Sequence, residues 1–170
     1  SFSDLILDFS RVVYAYERQS CHDASTVFDK LAEDLLRTLK SSLSVAVQPF
    51  RPEETDLPIE MTVQLNEDLI EALIRKGKGK LHIKARSDLL SIWREVEQFQ
   101  FGNTKLNQLL YEAGSEGLIR GRIVPALEGV RLRYKAYDLR PGHRGQVIAF
   151  SKERCLRQLL EKDNFLPLST

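Results

Sequence analysis

At 170 residues, with 42% hydrophobic side chains and a net charge of +1, the chain is long enough to bury one full core unaided by metal or disulfide. No apolar run approaches the length of a membrane-spanning helix. The start, Ser1-Phe2-Ser3-Asp4, lacks the basic, apolar and small-residue regions of a secretory leader.

The first residue is not Met, which points to an excised or processed domain. Two cysteines, Cys21 and Cys155, in a chain rich in Leu, Ile and Val predict a reducing compartment. The expected location is therefore intracellular, cytoplasmic or nuclear.

Residues 1–47 read as an acidic helical hairpin. Phe2, Leu5, Ile6, Phe9, Val12, Val13 and Tyr16 form one apolar stripe. Ser20-Cys21-His22-Asp23 breaks it, and Asp23 or Ser25 is placed to cap a second helix through Phe28, Leu31, Leu35, Leu39 and Leu43. Residues 48–58 contain Pro49, Pro52 and Pro58 and form a linker, since proline continues neither a helix nor a central strand.

Residues 59–170 make up a basic α+β portion. Ile59, Met61, Val63 and Leu65 alternate with polar residues, the pattern of a half-buried strand. Asn66 then caps a helix through Leu69, Ile70, Leu73 and Ile74 that Gly77 ends. Residues 80–86 alternate as a short strand. A helix follows with Leu89, Ile92, Trp93, Val96 and Phe99 inward, and another over 104–113 with Leu106, Leu109 and Leu110 inward.

Strands are predicted over 119–124, 130–137 and 146–150, with a turn from Arg140 to Gly145. Ser151 caps a last helix carrying Cys155, Leu156, Leu159 and Leu160, before a docked or frayed tail. From residue 67 the order of elements resembles that of a winged helix-turn-helix; no residue motif accompanies it. The predicted fold is thus α+β, a helical hairpin packed within one globule on a small mixed portion of winged-helix-like order.

No catalytic motif is recognisable. His22, His82 and His143 lie far apart and without partners at metal-ligand spacing. Cys21-His22 is adjacent, whereas nucleophile–base dyads usually come from separate segments. Gly77-Lys78-Gly79-Lys80 lacks the remainder of a phosphate-binding loop. Glu95 and Glu97 are two apart on a predicted helix and do not face each other. No cofactor or metal is expected.

Charge is more informative. Residues 1–70 hold 6 Lys/Arg against 13 Asp/Glu, and residues 71–170 hold 19 against 11. Such asymmetry suggests an anionic partner for the second part, although mutual neutralisation of the halves explains it as well. One cluster comprises Arg75, Lys76, Lys78, Lys80, Lys84 and Arg86. The other comprises Arg120, Arg122, Arg131, Arg133, Lys135, Arg140 and Arg144. Arg131, Arg133 and Lys135 alternate, so they project from one face of one strand. Tyr137 shares their parity and Tyr134 the opposite, core parity.

The leading expectation from these residues is a non-catalytic nucleic-acid-binding domain with phosphate contacts from both clusters. On the winged-helix order, Lys105, Asn107 and Gln108 would face a groove. The alternative is a protein–protein interaction or assembly subunit whose basic face meets an acidic protein surface. A second alternative is an enzyme with a dispersed site.

Overall fold

A computed structural model describes residues 21–100 and 102–157. The elements run β1 (Cys21–His22), α1 (Ala24–Thr38), β2 (Leu43–Val47), a 3-10 turn (Pro52–Glu54), α2 (Ile59–Lys76) and β3 (Leu81–Ile83). They continue with α3 (Arg86–Phe99), α4 (Asn103–Glu112), β4 (Gly117–Ala126), β5 (Gly129–Asp138), β6 (Val147–Phe150) and β7 (Arg154–Arg157). The fold is α+β, with a mixed sheet ordered β1-β7-β5-β4-β2-β3 and β6 beside β7 on the same edge of β5. β2 is parallel to β3 and β4, β1 is parallel to β7, and the remaining pairs are antiparallel.

α1 and α2 cover one face of this sheet. Val27, Phe28, Leu31 and Leu35 of α1 and Met61, Leu65, Leu69 and Leu73 of α2 pack on Val45, Ile119, Val130, Leu132 and Tyr134. α3 and α4 cover part of the other face, where Leu89, Trp93, Val96, Leu106 and Leu110 meet Ala46, Leu118 and Leu139. β2 therefore buries both of its faces, as strands between two helical layers do. It also separates β3 from β4, so the basic portion makes no sheet of its own and residues 21–47 supply two of the strands.

Local chemistry sets the helix ends. Asp23 is the N-cap of α1, its carboxylate accepting from Thr26 N–H at 2.9 Å. Gly77 closes α2, its N–H donating to Leu73 O at 2.8 Å. Several elements differ from the sequence reading. α1 ends at Thr38, and Leu43, read as helical, begins β2. Residues 59–65 are the first turns of α2, not a strand: Met61 and Leu65 are buried while Ile59 and Val63 are exposed. Two series spaced four apart on opposite helix faces imitate alternation. Asn66 lies buried within that helix rather than capping one. Phe99, expected inward, is 60% exposed. The segment after Ser151 is strand β7 rather than a helix. The first predicted helix, over 2–16, and the residues after 157 lie outside the described residues.

Cys21 and Cys155 sit opposite each other in the β1–β7 pair and form a disulfide across 134 positions. Cys155 is therefore not the free thiol of a helix core. Disulfides persist in oxidising compartments and are rare in reducing ones. β1 is two residues long, so the covalent link is the main tie holding that edge to the sheet. Replacing both cysteines by Ser is expected to lower stability by about 3 kcal/mol. Urea denaturation with and without reductant checks it, and reductant should leave the double variant unchanged.

A buried ion pair joins α1 to β7. Arg154 donates from Nε and Nη2 to the two oxygens of Asp34, at 3.0 and 2.8 Å, and Lys152 N–H adds a third bond at 3.0 Å. Burial alone would raise the Asp34 carboxyl pKa. The Arg154 and Lys152 hydrogen bonds and the charges of Arg154 and Arg37 outweigh it, holding the group below its ordinary 3.8. A lowered folded-state pKa gives stability that is complete above the unfolded value and is lost as pH falls through the folded one. Asp34→Asn should cost about 2 kcal/mol at neutral pH. In urea titrations the gap between variant and parent should close below pH 3.8.

Candidate functional site

β4 and β5 pair over their full lengths. Residues opposite each other share a face, and the register places Arg120 against Lys135, Arg122 against Arg133 and Val124 against Arg131. Ile119, Ile123, Val130, Leu132, Tyr134 and Ala136 take the other parity and enter the core under α1 and α2. The five cations thus share the face opposite α1 and α2, beyond the part that α3 and α4 cover. Arg122 and Arg133 are exposed, while Arg120, Arg131 and Lys135 are half-buried.

Like charges directly opposite across a ladder destabilise it. Among the described residues Arg122 and Arg133 make no ion pair, so their charges stand uncompensated. Arg120 has only neutral hydrogen-bond partners: Nε donates to Gln48 Oε1 at 3.0 Å and Nη2 to Asn103 Oδ1 at 3.2 Å, with the guanidinium 5.8 Å from the Tyr137 ring. Two large apolar side chains border the cations from β6. Phe150 pairs with Lys135 and is 54% exposed; Val147 pairs with Tyr137 and is 48% exposed. Phe150 N–H donates to Thr38 Oγ1 at 2.9 Å, tying β6 to the end of α1.

The other predicted site residues are placed elsewhere. Arg75 pairs with Asp29 at 2.9 Å and Lys76 with Glu33 at 2.8 Å, joining α2 to α1. The Asp29 carboxylate raises the pKa of Arg75 above its ordinary value. Lys80 Nζ donates to Leu36 O at 2.9 Å, and Arg86 lies 3.8 Å from Glu67. Lys78 projects from an exposed turn, and Lys84 packs beside Gly114. Arg140 grips Asp138 through Nε and Nη2 at 2.9 and 2.8 Å and holds that carboxyl below its ordinary pKa. Arg144 donates to Leu139 O and lies 5.5 Å from the Tyr111 ring. On α4, Lys105 and Gln108 are exposed and Asn107 half-buried, with Gln108 donating to Glu112. The sixteen residues thus divide into helix-packing, turn-forming and hairpin-face groups. Phe150, Val147 and Gln48 were not foreseen, because only register and tertiary contact bring them to the cations.

No protein-family model matches the chain, and no curated protein sequence is significantly similar to it. Among solved structures the fold is that of LpoB. The C-terminal domain of LpoB from Salmonella enterica matches with a TM-score of 0.58 at 12% identity, over 81% of this chain and 100% of that domain. The same domain from Escherichia coli matches with a TM-score of 0.59 at 13% identity, over the same shares. The solution structure of E. coli LpoB matches with a TM-score of 0.53 at 12% identity, over 78% of this chain and 69% of that one.

Two expectations are corrected by these findings. The nucleic-acid-binding reading does not stand. The chain carries the LpoB fold, and the basic residues assembled for phosphate contact are dispersed, with Arg75, Lys76 and Arg140 in ion pairs that build the fold. The intracellular placement, cytoplasmic or nuclear, falls to the same likeness and to the Cys21–Cys155 bridge.

The register makes a stability test of the site possible. Arg122→Glu turns a repulsive cross-strand pair into an attractive one with Arg133. Chemical denaturation at low ionic strength should show the variant more stable by about 0.5 kcal/mol, and added salt should erase the gain.

Proposed function

We propose that this domain is a protein-docking subunit of an extracytoplasmic assembly and that the β4–β5–β6 face meets an acidic surface on its partner. The observation that carries the reading is the row of cations on one sheet face with Phe150 and Val147 exposed beside it. Arginine and aromatic side chains are enriched at the core of protein interfaces, and an apolar border distinguishes such a face from one made for phosphates alone. The disulfide supports the extracytoplasmic location. The LpoB fold supports the reading by structural analogy alone.

Docking of this kind combines charge steering with apolar burial, so salt should slow association more than it speeds dissociation. The oxidised domain, immobilised, is the bait for an envelope extract. The triple variant Arg131→Glu, Arg133→Glu, Lys135→Glu should lose a protein that the parent retains, while Lys78→Glu, on the exposed turn, should retain it. Equal retention by parent and triple variant, or loss of the parent's catch only upon nuclease treatment, would overturn the proposal.

A further inference from the structure

A crevice of about 300 Å³ opens where the chain leaves the carboxyl end of β2, lined by Gln48, Phe50, Arg51, Glu54, Asn103 and Arg120. Its shape follows from a close approach. Tyr134 lies across β4 at Gly121, where a Cβ would come 2.5 Å from the tyrosine ring and 2.7 Å from Phe50. Phe50 packs on Tyr134 with ring centroids 6.0 Å apart. This contact anchors the 48–51 segment beside β4 and brings Arg51 to the same crevice as Arg120.

The charges in this crevice do not balance. Arg120 has two of its five N–H groups engaged, both on neutral amide oxygens. The Arg51 side chain makes no hydrogen bond or ion pair among the described residues; only its carbonyl is engaged, accepting from Glu54 N–H at 3.0 Å. The one acid on the lining, Glu54, is exposed and forms no ion pair with either arginine. The open N-terminus of α4 adds the same sign: Asn103 is its first residue, and Gly102 supplies no side-chain cap. Two guanidinium groups against one carboxylate leave a surplus of one positive charge.

We propose that this crevice is a carboxylate-binding site that receives a single carboxylate from an acidic segment of the docked partner. The inference rests on the docking reading, since Arg120 belongs to both the hairpin face and the crevice. A partner segment crossing the cations would reach the crevice at their end. A monoanion neutralises the surplus, whereas phosphate, carrying about −1.5 to −2 at pH 7, over-compensates it. The planar guanidinium fork matches a carboxylate through paired hydrogen bonds.

The oxidised full chain, labelled with nitrogen-15, is titrated with acetylated Gly-Ser-Gly-Glu bearing a free C-terminus, with its amidated form, with acetylated Gly-Ser-Gly amide and with inorganic phosphate. Chemical shifts of the amides at 48–51 and 103–104 and of Arg51 and Arg120 Nε–H are followed. The acidic peptides should move these signals and the neutral peptide should not. Equal shifts by the free and amidated acidic forms identify the Glu side chain as the source, and loss on amidation identifies the chain terminus; both support the site. Arg51→Gln, which removes no internal bond, and Arg120→Gln should each weaken binding about tenfold. Three results overturn the proposal: variants that bind like the parent, phosphate binding tighter than the peptides, or acidic peptides that move only Arg122, Arg133 and Lys135. The last of these leaves the docking face standing without the crevice, so the two readings fail separately.

Discussion

Pairing of β4 with β5 in unbroken register is the constraint on which the remaining structure hangs. The period of two sends Ile119, Ile123, Val130, Leu132 and Tyr134 into the core and Arg120, Arg122, Arg131, Arg133 and Lys135 outward. A slip of one residue on either strand would bury guanidinium groups under α1 and α2, at a cost far above that of any surface pair. With the register fixed, the outer edges are fixed too: β2 extends the sheet from β4, while β6 and β7 divide the free edge of β5. β7 carries Arg154 to Asp34 and Cys155 to Cys21, so the same ladder decides where the helix layer is pinned and which edge is closed covalently. Close approach is part of this constraint. At Gly129 a Cβ would come 1.8 Å from Leu156 O, so the start of β5 meets β7 without room for a side chain.

The residues that were legible in the sequence are those whose surroundings follow from their own neighbours in the chain. β5 reads correctly because one of its faces is buried and the other wet, and its alternation is complete within its own length. α3, apart from Phe99, and α4 read correctly for the matching reason at helical period. β2 and β7 do not. Leu43, Val45, Ala46 and Val47 are buried between α1 and α2 on one side and α3 and α4 on the other, most of these supplied by later residues, and their run of apolar residues fits a helix equally well. β7 exists because β5 and β1 offer it edges, and nothing between Arg154 and Arg157 records that. The cysteine pair was misjudged for the same reason. Its partners are 134 positions apart, and only the parallel pairing of two short strands brings them together. The cations at 131, 133 and 135 were visible as a row. Their opposition to Arg120 and Arg122, which makes the face dense enough to matter, required the register.

The net charge of +1 conceals how the fold sorts its ions. Arg75 and Lys76 meet Asp29 and Glu33 between α1 and α2, and Arg154 meets Asp34, all on the α1–α2 side of the sheet. Arg140 meets Asp138 at the end of the β5 strand. These pairs draw acids from the first part of the chain and from the end of β5, and among the described residues they leave Arg122 and Arg133 with none. The geometry prevents later rescue. A layer of side chains packed on a sheet spans about 10 Å, so acids on α1 and α2 lie at or beyond the screening length of about 8 Å at physiological salt. Their attraction for the far face is weaker than for the cations they touch on their own side. Neutralising them should change how α1 holds α2 and leave the potential of the hairpin face nearly as it is. The asymmetry between the halves of the sequence is therefore two facts that happen to add. One is an internal set of ion pairs that assembles the helical layer. The other is an external surplus, at Arg122 and Arg133 above all, that the ion pairs of the helical layer leave unneutralised, and such a surplus is relieved by an acidic surface brought from outside the chain.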